Sequence, residues 1–377
     1  MRSRLAATAV AAGVISMAAP GAAPAATWDA SAIASHAMLY LDSPPAFREA
    51  MFREAAASGA TSIRIDVPIP AIVRNPHGER WWAELDDIAR LAREYRLEVV
   101  GLIYGTPWWL ARCPDRTEDL EYYECPPKPG GVKTFAGYAR EIAKRTRGSI
   151  DVWQVLNEPN NRFVFAGGVR DYARILIATS RAIRRVNPSA RIVLGGLGGP
   201  QMQVWPAKLL AIPGTRRALD VVSVHLRGRL KVVRSAVSFW RQRFDSLGFR
   251  GPIWATEHGY PTDPQYQWDR RFRGTKGQAR YLRRSLPALV GAGIDRVFVT
   301  LRDNRGGPWA TEGLIGGTVF DPPSVDPQVE RKPALTAVRR FAMSLLREVR
   351  ASGLPARCHR DQETTSTGWP ASSVSNR

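Results

Sequence analysis

Eight times between residues 32 and 349 a short apolar run is followed by a segment of helical periodicity. This alternation constrains the fold more than any other feature of the chain. The apolar runs cover 32–40, 62–66, 97–104, 150–156, 191–196, 219–224, 252–256 and 296–301. The amphipathic segments between and after them cover 46–57, 81–95, 135–146, 171–186, 205–212, 232–247, 276–290 and 334–349. In the second of these, Leu85, Ile88, Leu91 and Ala92 share one face at helical spacing. Most of the apolar runs lack a polar–apolar alternation, as strands of a parallel sheet do when helices cover them. Eight strand–helix units over roughly 300 residues match an α/β protein of the (β/α)8 TIM-barrel type, one domain spanning 27–350. A doubly wound nucleotide-binding sheet would carry a Gly-rich turn after its first strand. Here that turn is Leu41-Asp42-Ser43-Pro44-Pro45. The later run Gly195-Gly196-Leu197-Gly198-Gly199 follows the fifth strand, lacks the dinucleotide fingerprint, and reads as a tight strand-to-loop turn.

The flanks differ from this domain. Arg2 and Arg4 precede an Ala-rich apolar stretch over 5–17 and the small-x-small site Ala23-Pro24-Ala25. That is the pattern of a secretory signal peptide over 1–26, which predicts a secreted or cell-envelope protein without stable membrane insertion. The tail, 351–377, is rich in Ser and Thr without apolar period and is expected to be disordered. In an exported chain Cys113 and Cys125 read as a local disulfide pinning one long loop. Metal ligation by them is the weaker alternative, because no His stands at ligand spacing. Cys358 is left over in the tail. The five His are scattered, so neither a metal site nor a cofactor is expected. The formal charge of +20, carried almost wholly by scattered arginine, suits an acidic glycan partner. No nucleic-acid-binding motif accompanies it, and nucleic acid is not an expected partner.

In such a barrel the C-terminal ends of the strands face the site. Two carboxylates directly follow apolar strands: Glu158, in Asn157-Glu158-Pro159-Asn160 after the fourth, and Glu257, in Thr256-Glu257-His258-Gly259 after the seventh. A charge placed there is costly unless it has a task or a partner. Strands four and seven lie on opposite sides of an eight-strand ring, so the two side chains can meet across its mouth. Two carboxyl groups flanking one bond are what glycoside hydrolysis requires, one protonated and one ionised, with mutual repulsion raising one pKa. For either Glu alone, a buried ion pair with Arg64 or Arg302 is the competing explanation.

With both motifs on these strands, the chain resembles glycoside hydrolases of clan A, closest to families 39 and 5. The resemblance runs from about Ala34 to Val349 through Ser62-Ile63-Arg64-Ile65-Asp66, residues 153–160 and 254–260, Leu301-Arg302-Asp303, Gly313-Leu314 and Lys332-Pro333-Ala334. It implies a single catalytic domain that retains anomeric configuration, with Glu158 as acid/base and Glu257 as nucleophile. It implies that Asn157 contacts the sugar 2-hydroxyl, Arg64 bonds the nucleophile, and His225 lines the cleft beside it. Two positions depart from the pattern. Arg227 stands where the clan often has an aromatic hydroxyl, and Val299 and Thr300 stand where it commonly has a tryptophan floor. Tyr104, Trp108, Trp109, Trp205, Tyr260, Tyr266, Trp268 and Trp309 lie in or beside predicted strand-end loops and as a set fit sugar-stacking surfaces. Substrate binding is thus expected from Arg64, Asn157, His225, Tyr104, Trp108, Tyr260, Arg302 and Trp309. The expected function is a secreted retaining β-glycoside hydrolase acting on a polysaccharide or oligosaccharide. The alternative is a barrel that binds envelope or matrix glycan without cutting it.

Overall fold

The computed structural model describes residues 33–37, 43–113, 124–198, 204–304, 307–316 and 328–351. The expected signal peptide, Cys358 and, past Ala351, the expected tail lie outside the described residues. In chain order the elements are β1 (Ile33–His36), α1 (Pro45–Ala57), β2 (Ser62–Pro68), α2 (Ile69–Ile72), α3 (Ala83–Glu94), β3 (Glu98–Tyr104), α4 (Val132–Arg145), β4 (Val152–Val155), α5 (Val169–Val186) and β5 (Arg191–Val193). Then come α6 (Trp205–Leu210), α7 (Thr215–Ala218), β6 (Val222–His225), α8 (Leu230–Ser246), β7 (Ile253–His258), α9 (Gly274–Gly291), β8 (Arg296–Thr300), the antiparallel pair β9 (Ile315–Gly316) and β10 (Glu330–Arg331), and α10 (Pro333–Ala351). All eight expected strand–helix units are present. The short α2 and α7 and the β9–β10 pair had no sequence expectation, since segments of two to four residues are too short to show a period.

The eight barrel strands pair in parallel in the order β5-β4-β3-β2-β1-β8-β7-β6. Parallel bridges Val193–Val221 and Leu197–Val224 join the two ends, with His225 N donating to Leu197 O at 2.8 Å. The ring is therefore closed, and the fold is a (β/α)8 TIM barrel. Its interior is layered by the two-residue period of the strands. At the N-terminal end, the Glu98 carboxylate accepts from Arg191 and Arg296. Above this ion cluster lies an apolar layer of Ala34, Val100, Val152, Val193, Val221, Trp254 and Phe298. Higher still the layer turns polar: Arg64, Gln154, Ser223, Thr256 and Thr300 are each at most 1% exposed. Gln154 ties that layer together, accepting from Arg64 Nε at 2.6 Å and donating to Leu194 O and Ser223 Oγ, both at 2.9 Å. Buried polar groups satisfied in this way are rigid, and they form the floor beneath the mouth.

Helices seal the outside with the faces expected of them. Leu85, Ile88, Leu91 and Ala92 of α3 are buried, as are Tyr172, Ile175, Leu176 and Ile183 of α5. Asp171 caps α5 by accepting from Gly168 N at 3.0 Å. Trp153 points outward from β4 into this shell and is fully buried, packed where Gly101 of β3 leaves room for its ring. Cys113 and Cys125 form a disulfide across the loop after β3. An antiparallel bridge between Ala111 and Pro127 braces the same loop.

Candidate active site

The turn that follows β4 is strained. Leu156 and Glu158 both have left-handed backbones, with φ of 60° and 38°. For side-chain-bearing residues each such conformation costs of order 1–3 kcal/mol and persists only where the surroundings over-determine it. They do so here. Asn160 accepts from Gly198 N at 3.2 Å and donates to Gly198 O. The buried Tyr172 hydroxyl donates to Val155 O at 3.1 Å and accepts from Gly195 N at 2.9 Å. The glycines after β5 are thus more than a tight turn. A Cβ on Gly198 would collide with the Glu158 carboxylate, one on Gly196 with the His225 ring, and one on Gly195 with the backbone carbonyls of Val155 and Leu156. Only bare backbone leaves room for Glu158 and His225 to lie side by side.

Glu257 reaches the same place from β7. Register shifts on both edges of this strand, against β6 at His225 and against β8 at His258, turn it locally so that Glu257 faces the mouth. Its Oε1 lies 3.3 Å from Arg64 Nη1 and 3.5 Å from His225 Nε2. Its Oε2 lies 3.1 Å from Arg227 Nη1. His225 Nδ1 is 2.7 Å from Glu158 Oε1, so this one ring stands between the two glutamates. A carboxylate oxygen from each and a ring nitrogen of His225 lie within 4.8 Å of one another. The same three groups are the one arrangement among the described residues with metal-ligating geometry. Glu158 and Glu257 are partly open to solvent, at 18% and 12% side-chain exposure. The adjoining cleft has a volume of about 300 Å3, and its walls include Arg64, Asp66, Tyr104, Asn157, Glu257 and Trp309.

The charge states do not follow the simple expectation of one carboxylate raised by its neighbour. Burial pushes the Glu158 carboxyl up and Glu257 adds to this. The bond and charge of His225, with Asn161 Nδ2 donating at 2.8 Å, outweigh both and hold the group below its ordinary 4.5. Asp66 is the raised carboxyl of the mouth. Burial brings it to about 6, with the Arg64 and Arg302 cations opposing and Glu257 reinforcing. Burial also lowers His258, to about 4. Its ring is spent on Leu226 O at 2.6 Å and Ser285 Oγ at 2.8 Å, so it is a core histidine.

Of the expected site residues, the structure brings together Glu158, Glu257, Arg64, Asn157 and His225, with Arg64 Nη2 donating to Asn157 Oδ1 at 2.9 Å. Tyr104 and Trp309 line the cleft. Three others stand elsewhere. Tyr260 is fully buried, stacked on Tyr281 with its hydroxyl donating to Asp269 O, so it offers no ring face to a ligand. Arg302 is 1% exposed and donates to the backbone carbonyls of Ala37 and Asp303, a structural use. Trp108 is 64% exposed but is not part of the cleft wall. Residues not expected in the site also line it, among them the charged Arg227, Glu312 and Glu124. Arg227 was visible only as a departure from a pattern. Glu312 follows no strand, and although the adjoining Gly313-Leu314 belongs to the resemblance, nothing in the sequence pointed to this carboxylate itself.

No family sequence model and no curated protein matches the chain. Solved structures do. A family 39 glycoside hydrolase from the gut symbiont Bacteroides cellulosilyticus WH2 superposes with a TM-score of 0.61 at 15% identity, over 85% of this chain and 64% of that one. An exo-β-1,4-mannosidase from Opitutaceae bacterium strain TAV5 gives 0.56 at 19% identity, over 84% and 60%. A family 39 β-xylosidase from Caulobacter crescentus gives 0.61 at 18% identity, over 84% and 71%. The chain thus spans less than two thirds of the length of the first two. At these identities the likeness is one of fold: the chain shares the (β/α)8 barrel of these glycoside hydrolases.

Proposed function

We propose that this protein is a retaining β-glycoside hydrolase that acts on an oligosaccharide or polysaccharide outside the cell membrane. One observation carries the reading: Glu158, in the turn after β4, and Glu257, on β7, converge on His225 with carboxylate oxygens no more than 4.8 Å apart. A separation of about 5–5.5 Å between the carboxyl groups suits direct attack on the anomeric carbon, whereas inversion needs room for a water. In the first step Glu257 attacks that carbon while Glu158 gives its proton to the departing glycosidic oxygen. In the second, water loses a proton to Glu158, adds to the same carbon, and Glu257 leaves as a carboxylate. Arg64 holds Glu257 in place, and Asn157, itself held by Arg64, faces the cleft where a sugar hydroxyl would lie. Export rests on the N-terminal pattern alone, and cleavage before Ala26 or Thr27 on secretion is its test.

Because His225 and Asn161 favour the Glu158 anion in the free protein, its proton must be acquired on the acid side of neutrality. The alkaline limb of kcat/KM, which reports the acid of the free protein, is therefore expected at acid pH. Glu257→Ala is expected to abolish turnover of aryl β-glycosides. Glu158→Ala is expected to lose activity on poor leaving groups and regain part of it with azide on good ones. Full activity in both variants would end the proposal. The same ionised Glu158 favours a second reading, a barrel that binds glycan without cutting it. Saccharide binding with no product across a β-glycan panel at pH 4–7 would establish that reading instead.

A further inference from the structure

The two positions at which this chain departs from its resemblance meet in one place. Arg227 Nε donates to Glu312 Oε2 at 2.9 Å, and its Nη2 pairs with Oε1 at 2.5 Å. Thr300 Oγ1 donates to Glu312 Oε1 at 2.7 Å. Glu312 is itself only 1% exposed. Gly259, two residues beyond Glu257, leaves the space this carboxylate fills, since a Cβ there would sit 2.7 Å from Glu312 Oε2. On its free face the Arg227 guanidinium packs against the Trp309 ring, 4.8 Å from its centre. A bidentate carboxylate below and an aromatic ring beside it leave the arginine one aim, toward Glu257 Oε2 at 3.1 Å. An arginine at position 227, a small hydroxyl at 300 and an acid at 312 therefore form one interlocking unit.

We propose that Arg227, anchored by Glu312 and Thr300, is a positioning residue that holds Glu257 ionised and in place and assists its departure. The inference rests on the reading of Glu257 as nucleophile. Among the described residues, the charged groups around Glu257 include Arg64 and Asp66 from β2, Glu158 after β4, His225 from β6, Arg227 beyond it, and Glu312. Arg64 engages one oxygen and Arg227 the other, so the carboxylate is gripped at both. In the second displacement the bond from the anomeric carbon to the Glu257 oxygen breaks, and its electron pair stays on the carboxylate. Water supplies the new bond to carbon, and its proton passes to Glu158. A cation already in place on the leaving carboxylate lowers the barrier to this step without moving.

The test reads Glu257 directly, by carbon NMR of glutamate-labelled protein, with its signal assigned by loss in Glu257→Ala. In Arg227→Gln the titration midpoint of Glu257 is expected to move to higher pH by about one unit or more, the usual effect of losing a close opposite charge. Arg227→Lys, which keeps the charge, is expected to restore most of the shift. The double variant Arg227→Gln/Glu312→Gln leaves no unpaired buried charge and serves where the single one does not fold. It too is expected to shift upward, because the lost cation is the nearer group. An unmoved midpoint, or a Lys variant that shifts as far as the Gln variant, would overturn the proposal. With an activated aryl β-glycoside, Arg227→Gln is further expected to show a burst and a covalent glycosyl adduct on Glu257 that the unaltered protein does not accumulate. A moved midpoint in a protein that cleaves no glycoside would retain the positioning role and refute the hydrolase reading.

Discussion

Asp66 shows how a single side chain can trade stability for a charge at the mouth. Its folded pKa, about 6, stands above the ordinary 3.8 because burial outweighs the nearby arginines. Between these values an unfolded chain releases a proton that the folded one keeps. The stability associated with the protonated form is therefore complete below pH 3.8 and is lost as pH rises through 6. Asp66→Asn cannot ionise and is expected to stabilise the protein by about 1–3 kcal/mol at pH 8 and to change nothing at pH 3, as urea unfolding at the two pH values will measure. Glu158 shifts the other way, and Asn161 is one cause. Asn161→Ala removes a donor to the anion, so the alkaline limb of kcat/KM is expected to move to higher pH. A limb that stays in place would mean that another group supplies the proton.

At the scale of elements, the site depends on the contact between the turn after β4 and the glycines after β5. Gly198→Ala puts a methyl group where the Glu158 carboxylate lies. Displacing a reacting group by about 1 Å typically lowers turnover by about 10²-fold. This variant is expected to lose kcat to that extent while thermal melting shows the fold retained. Retained kcat would mean that Glu158 has another resting position. The strained residues Leu156 and Glu158 are held by bonds from Tyr172 of α5 and Asn160, so helix packing on the outside of the barrel transmits to the turn that carries Glu158. None of these contacts is local in sequence. Asn160 and Gly198 are 38 positions apart.

For the molecule as a whole, the described part is one barrel whose layers change from ionic to apolar to polar toward the mouth. The loop after β3 is closed on itself by the bond between Cys113 and Cys125, 12 positions apart. Glu124, next to Cys125 in this loop, is a residue of the cleft wall. Replacing both cysteines by serine frees the loop in the unfolded and folded chain alike. The expected cost is about 2–4 kcal/mol of unfolding free energy, together with a higher KM at nearly unchanged kcat. Equal melting of the variant and the unaltered protein, with and without reductant, would show the bond to be dispensable.

The order of residues by itself determined the barrel and its two carboxylates. Eight apolar runs with intervening amphipathic helices admit few closed arrangements, and a charge at the end of a buried strand is visible without coordinates. Sequence reasoning therefore placed all eight strands to within a few residues, and the structure brings the expected Asn157, Glu158, Glu257, Arg64 and His225 together at their ends. What only the tertiary structure decided was direction and company. Tyr260 and Arg302 have the composition of cleft residues, yet their side chains turn into the wall, because a strand end is followed by a bend whose sense depends on its neighbours. Arg227 and Glu312 are 85 positions apart and touch only because β6 and β8 flank the same strand. Local pattern reports what one segment prefers to bury. The charge state of a carboxylate depends on groups brought to it from other strands, and that information exists only once the ring has closed.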